Sequence, residues 1–358
     1  MLRPSESVAG VKQYHPPLSG RSGLRLDFNE NTVGCSPRVV ECLRSISAEE
    51  LTRYPEREPV ERVVAGWLGL SAAEVALTNG VDEAIHLLCE TYLQPGDEAI
   101  VVVPTFGMYR VYASAAGAKV VSVPAGEDFR FPTGEALKRI SGRTRLIAIA
   151  NPNNPTGTAA SADDLLTIAE RASAAAVLID EAYFEFYGRS LIGEVSRRKN
   201  LFIARTFSKA YGMAGLRAGV LAGPAEQMEF VRRIASPYNV NGVALACLPA
   251  ALADREYVSA YAEAVRRGRA RLQDELGALG IKCWPSQANF VLAQFGTARA
   301  RFVTAMRQRK ILVRDRNNDP GCAGCVRITV GADTHMDALI AALREYAREG
   351  KRAAEVPA

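Results

Sequence analysis

Between about residues 50 and 225, short β-branched runs alternate with helical periods, and no other feature restricts the fold as tightly. The runs occupy 99–103, closed by Pro104, then 119–123, 146–150, 176–179, 201–204 and 218–222. They are too continuously apolar to leave one face in water, so they read as strands of a mostly parallel sheet buried on both sides. Helical periods at 82–92 and 161–171 fall between them, the second opened by a capping arrangement of Ser161 with Asp164 three residues on. Strands alternating with helices imply an α/β fold of three layers, helix on sheet on helix. Sheets of that kind hold ligands at the carboxyl ends of their strands.

After about residue 250 the pattern changes. A long charged helix at 255–277 leads to apolar stretches at 281–284 and 288–293, a helix at 298–309, two further stretches at 311–313 and 326–330, and a helix from Asp333. This reads as a smaller α+β domain whose end, 350–358, is frayed. With 358 residues there is room for about two domains. The expected division is an N-terminal arm at 1–29 that joins the small domain, a large domain at 30–250 and the small domain at 251–358.

Composition excludes several kinds of protein. Lys and Arg number 44 against 39 Asp and Glu, a net +5, and the basic residues are scattered without interleaved aromatics. No nucleic-acid surface is expected from that. The longest apolar stretch, 243–253, is too short to span a membrane and contains Pro249. The first ten residues lack the apolar centre of a signal peptide, and seven cysteines are an odd number for a disulfide framework. Reduced thiols in the cytoplasm are the expectation. Cys322 and Cys325 form a lone CxxC without a second pair, and His15, His86 and His335 are dispersed, so no metal site is expected. His86 reads as a packed helix residue.

The chemistry-bearing residues sit at strand ends. No GxGxxG and no GxxxxGK[ST] is present, which removes the usual support for nucleotide binding. The strand at 146–150 runs into Asn151-Pro152-Asn153-Asn154-Pro155-Thr156-Gly157, by itself an ordinary tight turn. The next strand ends in Asp180-Glu181-Ala182-Tyr183, and the next leads into Thr206-Phe207-Ser208-Lys209, with Arg217 eight residues on. Three successive strands thus bring Asn154, Asp180 with Tyr183, and Lys209 to one edge of one sheet. A lysine with its charge suppressed attacks an aldehyde. An aromatic ring held in the resulting bond accepts electrons if a carboxylate keeps its ring nitrogen protonated. Asn and Tyr side chains would hold a ring oxygen, and hydroxyls, an arginine and a helix N-terminus would hold a phosphate. Those are the requirements of pyridoxal phosphate.

Taken together, these motifs resemble the fold-type-I pyridoxal-phosphate aminotransferases over nearly the whole chain. Within that superfamily the chain is most similar to the histidinol-phosphate aminotransferases. The likeness is carried by Leu26-Asp27-Phe28-Asn29-Glu30-Asn31, Arg53-Tyr54-Pro55 and Asn79-Gly80-Val81-Asp82-Glu83. It continues in Pro104-Thr105-Phe106-Gly107-Met108-Tyr109, Arg205 to Lys209, and Arg314-Asp315 ahead of Arg327. The resemblance implies that Lys209 bonds the cofactor and moves a proton between the substrate α-carbon and the cofactor carbon. It implies that Asp180 pairs with the ring nitrogen, that Asn154 and Tyr183 hold the ring oxygen, and that Phe106 stacks on the ring. Val81 and Asp82 backbone amides, Thr206, Ser208 and Arg217 would hold the phosphate, with Tyr54 supplied by the neighbouring subunit of a homodimer. Arg327, Arg314, Tyr14 and Asn29 would bind the substrate's anionic end.

The implied reaction is transamination between histidinol phosphate and 2-oxoglutarate, a step of histidine biosynthesis. Departures at Asp27, Thr32, 33–36 and 316–320 lie near the substrate and leave two relatives of the same branch as alternatives, an aromatic aminotransferase and a threonine-phosphate decarboxylase. A more remote alternative is a pyridoxal-phosphate-binding regulator without turnover, which would carry a helix-turn-helix module that this sequence does not show.

Overall fold

The computed structural model describes residues 2–13 and 20–355, and in these the strands form two sheets. Strand β1 (Leu24–Leu26) belongs to the smaller one. The larger contains β2 (Val75–Thr78), β3 (Glu98–Val103), β4 (Lys119–Pro124), β5 (Thr144–Ala150), β6 (Ala176–Asp180), β7 (Leu201–Thr206) and β8 (Gly219–Ala222). Their order is β2-β8-β7-β6-β5-β3-β4. Strands β3 to β7 are mutually parallel, and β8 runs antiparallel to both β7 and β2. The sheet is therefore mostly parallel and covered on both faces. Along β5, Leu146 and Ala148 face one apolar layer while Ile147 and Ile149 face the other. This is the period-two alternation of a strand with two buried sides.

The smaller sheet is completed by β9 (Lys282–Cys283), β10 (Phe290–Gln294), β11 (Ile311–Asp315) and β12 (Cys325–Thr329), in the order β1-β11-β12-β10-β9. Strand β1 pairs parallel with β11, so the N-terminal segment closes the edge of a sheet otherwise built from the other end of the chain. The segment expected to be an arm joining the small domain contains this strand, and a short helix, Glu6–Ala9, precedes it. The last helix, Asp333–Glu355, continues past the expected fraying point at residue 350. The apolar stretch at 243–253 lies within a helix, Gly242–Ala253, with Pro249 inside it and half of its residues buried. Being apolar all round, it packs in the core. Among the described residues no helix is long and apolar enough to cross a membrane.

All seven cysteines are free thiols. Cys322 and Cys325 are buried with Trp284 and Leu292, and Phe129 packs on that cluster, so the CxxC serves as packing. His86 departs from its expected core position. Its side chain is half-exposed, stacks on Tyr112 with centroids 4.8 Å apart and reaches Glu90 at 3.0 Å. The helix that carries it buries Ile85, Leu88 and Cys89, which leaves position 86 at the margin of the apolar stripe.

Candidate active site

Six strands of one direction, β2 to β7, end at the same edge of the large sheet, and several of their ends build the site. Thr78 of β2 and Thr206 of β7 flank Gly219 of β8 in one register row, while Asp180 of β6 lies between Ala150 and Ala204 two residues back along β7. Above this edge is a cleft of about 250 Å³ lined by Val81, Asp82, Phe106, Asn154, Asp180, Tyr183, Thr206, Ser208, Lys209 and Arg217. Ten residues nominated from the sequence therefore meet in one place. Phe28, Glu30 and Tyr109, quoted in motifs but given no role there, line it too.

The loop after β7 folds back on itself. Ser208 N–H donates to Thr206 Oγ1 at 3.1 Å and Met213 N–H to Phe207 O at 3.0 Å, which turns Lys209 inward. Its Nζ donates to the Phe28 carbonyl at 3.0 Å. Burial, with Arg327 and Arg217 nearby, lowers the Lys209 pKa to about 8 against the pull of Glu30 and Asp82. Asp180 ends β6 with both oxygens engaged. Oδ2 accepts from Tyr109 O–H at 2.5 Å and Oδ1 from Ala182 N–H at 3.0 Å. Burial nevertheless raises its pKa to about 6. Tyr183 is pushed above its ordinary value by burial, and its hydroxyl accepts from Asn29 Nδ2 at 3.0 Å.

The turn after β5 separates its asparagines by task. Asn151 Oδ1 accepts from Ala160 N–H at 2.9 Å, and Asn153 Nδ2 donates to Pro104 O at 2.8 Å. Asn154 alone reaches the cleft, with Oδ1 accepting from Arg327. Asn151–Pro152 and Asn154–Pro155 are cis peptide bonds.

At the helix start, Gly80 has φ +73°, and a Cβ there would lie 2.6 Å from Arg217 Nη2. Arg217 itself has φ +56° and pairs with Asp82 at 2.9 Å. The Ser208 hydroxyl is buried without a partner in the protein.

The other described nominees, Asn29, Tyr54, Arg314 and Arg327, lie outside the cleft lining. Arg314 and Arg327 are direct register partners on β11 and β12. Arg327 Nη2 donates to Asp27 O at 2.6 Å; Arg314 lies 5.2 Å over the Phe28 ring, and its Nη1 is buried without a partner. Asn29 is wholly buried behind Tyr183, held also by Thr329. Tyr54 is 76% exposed and stacks on Tyr238 with centroids 4.2 Å apart, away from the cleft of its own chain. Tyr14 falls outside the described residues. Among the described residues no group of three or more His, Cys, Asp or Glu could hold a metal ion.

Comparison with known proteins agrees with this geometry. A family profile described as aminotransferase class I and II matches residues 21–343. A histidinol-phosphate aminotransferase of Roseiflexus castenholzii is 37% identical, with 97% of this chain and 98% of that protein covered. One of Dehalococcoides mccartyi is 34% identical over 90% of each. Among solved structures, the histidinol-phosphate aminotransferase of Sinorhizobium meliloti in complex with pyridoxal-5'-phosphate shares 25% identity and a TM-score of 0.88 over 98% of both chains. An aspartate aminotransferase of Thermus thermophilus with maleate shares the fold, with a TM-score of 0.83 at 24% identity over 97% of this chain and all of that one. With the family profile spanning most of its length and relatives above 30% identity across nine-tenths of it, the chain belongs to the class I and II aminotransferases, enzymes whose substrates are a small-molecule amino donor and a keto acid.

Proposed function

We propose that the chain is a pyridoxal-phosphate-dependent histidinol-phosphate aminotransferase, converting histidinol phosphate and 2-oxoglutarate to imidazole-acetol phosphate and glutamate in histidine biosynthesis. The observation that carries the reading is Lys209, a buried amine with its pKa lowered to about 8, sharing one cleft with Asp180, Tyr183 and Asn154. The donor set fits the cofactor. The partnerless Ser208 hydroxyl supplies a polar atom that an anion in the cleft would satisfy, and the Gly80 helix start beside Arg217 suits a phosphate. When bound, pyridoxal phosphate supplies an aldehyde carbon joined to a ring that withdraws electrons from the substrate α-carbon.

The chain's own groups do the rest. Lys209 would hold the cofactor's aldehyde carbon and would supply the amine that moves the α-proton; burial lowers its pKa toward the range this needs. Asp180 would pair with the ring nitrogen and keep it protonated. Asn154 and Tyr183 would hold the ring oxygen, with Tyr183 steadied by Asn29, and Phe106 would stack on the ring. Val81 and Asp82 amides, Thr206, Ser208 and Arg217 would hold the phosphate. Arg314 and Arg327 stand opposite one another although like charges in that position repel, an arrangement that an anionic substrate end stabilises. Tyr14 and Asn29 would bind that end as well. The relatives' names point to histidinol phosphate as the donor.

The exposed Tyr54–Tyr238 pair, with Leu51 also exposed, supports a homodimer in which Tyr54 reaches the partner's cofactor phosphate. The two sheets support a division into a cofactor-holding domain at 30–250 and a small domain at 251–358 joined by the arm at 1–29.

The test is a panel of donors: histidinol phosphate, phenylalanine, tyrosine and threonine phosphate, each with and without 2-oxoglutarate. Histidinol phosphate should have the highest kcat/KM and yield glutamate in equal amount. Release of CO₂ without any need for the keto acid would overturn transamination.

A further inference from the structure

We propose that Tyr109 is a positioning residue that acts through Asp180, setting how strongly that carboxylate competes with the cofactor's ring nitrogen for their shared proton. The inference rests on the reading of the site given above.

Tyr109 is 1% exposed and sits among Val81, Ala84, Leu88, Ala148 and Leu178, where a phenylalanine would pack equally well. Its hydroxyl must nonetheless be satisfied, and the acceptor is Asp180 Oδ2 at 2.5 Å. The two residues are 71 positions apart, so only tertiary structure joins them. Tyr109 also meets Phe106 edge to face, with centroids 5.9 Å apart at 89°. Asn153 anchors the same segment through Pro104 O and Thr105 Oγ1. One stretch of six residues therefore fixes both the ring that covers the cofactor face and the donor that holds Asp180.

The electrostatics give the contact its role. Burial makes the carboxylate a stronger base, while Tyr109 O–H and Ala182 N–H counter that by stabilising the anion. Without the Tyr109 donor, Asp180 draws the proton away from the ring nitrogen. A neutral ring withdraws electrons less well, so the substrate α-proton becomes harder to remove. Substrate contacts are untouched, and the defect belongs to kcat and not to KM.

Tyr109→Phe keeps the ring and removes only the hydroxyl, and a melting curve checks its fold. The variant is loaded with pyridoxal phosphate labelled with ¹⁵N in the ring. Its ¹⁵N resonance should move toward the value of neutral pyridine. The half-reaction with the amino donor should slow by roughly ten- to hundredfold, the range for losing a hydrogen bond to a charged group, with KM within about threefold. In an Asp180→Asn background the same substitution should change neither quantity, because its target is gone. An unmoved resonance, or an equal loss of rate in both backgrounds, overturns the inference alone. So does a rate loss seen in Tyr109→Leu but not in Tyr109→Phe, which would assign the effect to packing. A wild-type protein that takes up no pyridoxal phosphate overturns the reading of the site and this inference with it.

Discussion

Lys209 and Asp180 each hold a titratable group where burial opposes its charge, and each is a stability defect in the cofactor-free protein. Folding lowers the Lys209 pKa from the ordinary 10.5 to about 8, so between those values the unfolded chain binds more protons and stability rises with pH. Below pH 8 the whole penalty is present. Lys209→Met should therefore stabilise the cofactor-free protein at pH 7 by up to about 3 kcal/mol, measured by denaturant titration, while turnover is lost. That advantage should shrink as the pH is raised from 8 to 10; an advantage independent of pH would point to packing instead. Asp180 shifts the other way, from 3.8 to about 6, so the folded protein binds the extra proton in that window and stability falls as pH rises through it. Asp180→Asn should stabilise the cofactor-free protein above pH 6, with little gain at pH 4. The types of these residues at successive strand ends were legible in the sequence. Their burial was not, nor was Tyr109, whose hydroxyl matters only because a residue 71 positions away ends up beside it.

The start of the helix Gly80–Tyr92 shows what an element adds. Gly80 adopts a left-handed backbone conformation, and the space a side chain would need is occupied by Arg217. Gly80→Ala should cost about 1 kcal/mol from the backbone alone and more from displacing Arg217. A matching loss of affinity for pyridoxal phosphate should appear in a titration of the cofactor-free protein, and unchanged affinity would detach Arg217 from the phosphate. The Ser161 cap is a local counterpart: its Oγ accepts from Asp164 N–H at 3.1 Å, and Ser161→Ala should lower stability by about 1 kcal/mol without touching activity. Elements of this kind were readable because their signals lie within a few residues. Strands β1 and β2 were not, since Leu-Arg-Leu and Val-Ala-Leu-Thr are too short to have a decisive period.

For the whole molecule, the proposed dimer makes a sharp prediction. Tyr54→Ala should weaken cofactor binding and Lys209→Ala should abolish turnover, yet dimers mixed from the two chains contain one site with both native residues. If the subunits mix at random, activity should return to about a quarter of the wild-type level, since half the dimers are mixed and each has one complete site. No recovery in verified mixed dimers would show that Tyr54 serves its own subunit. The α/β class, most of the sheet strands and the identity of most cleft residues follow from sequence alone, because apolar periodicity and strand-end chemistry are local properties that survive without coordinates. Strand order, the capture of Leu24–Leu26 by the small sheet, the opposition of Arg314 and Arg327, and the Tyr109–Asp180 contact were decided only by tertiary structure. Each is a pairing between separate segments of the chain, and its energy exists only once both segments have been desolvated against each other.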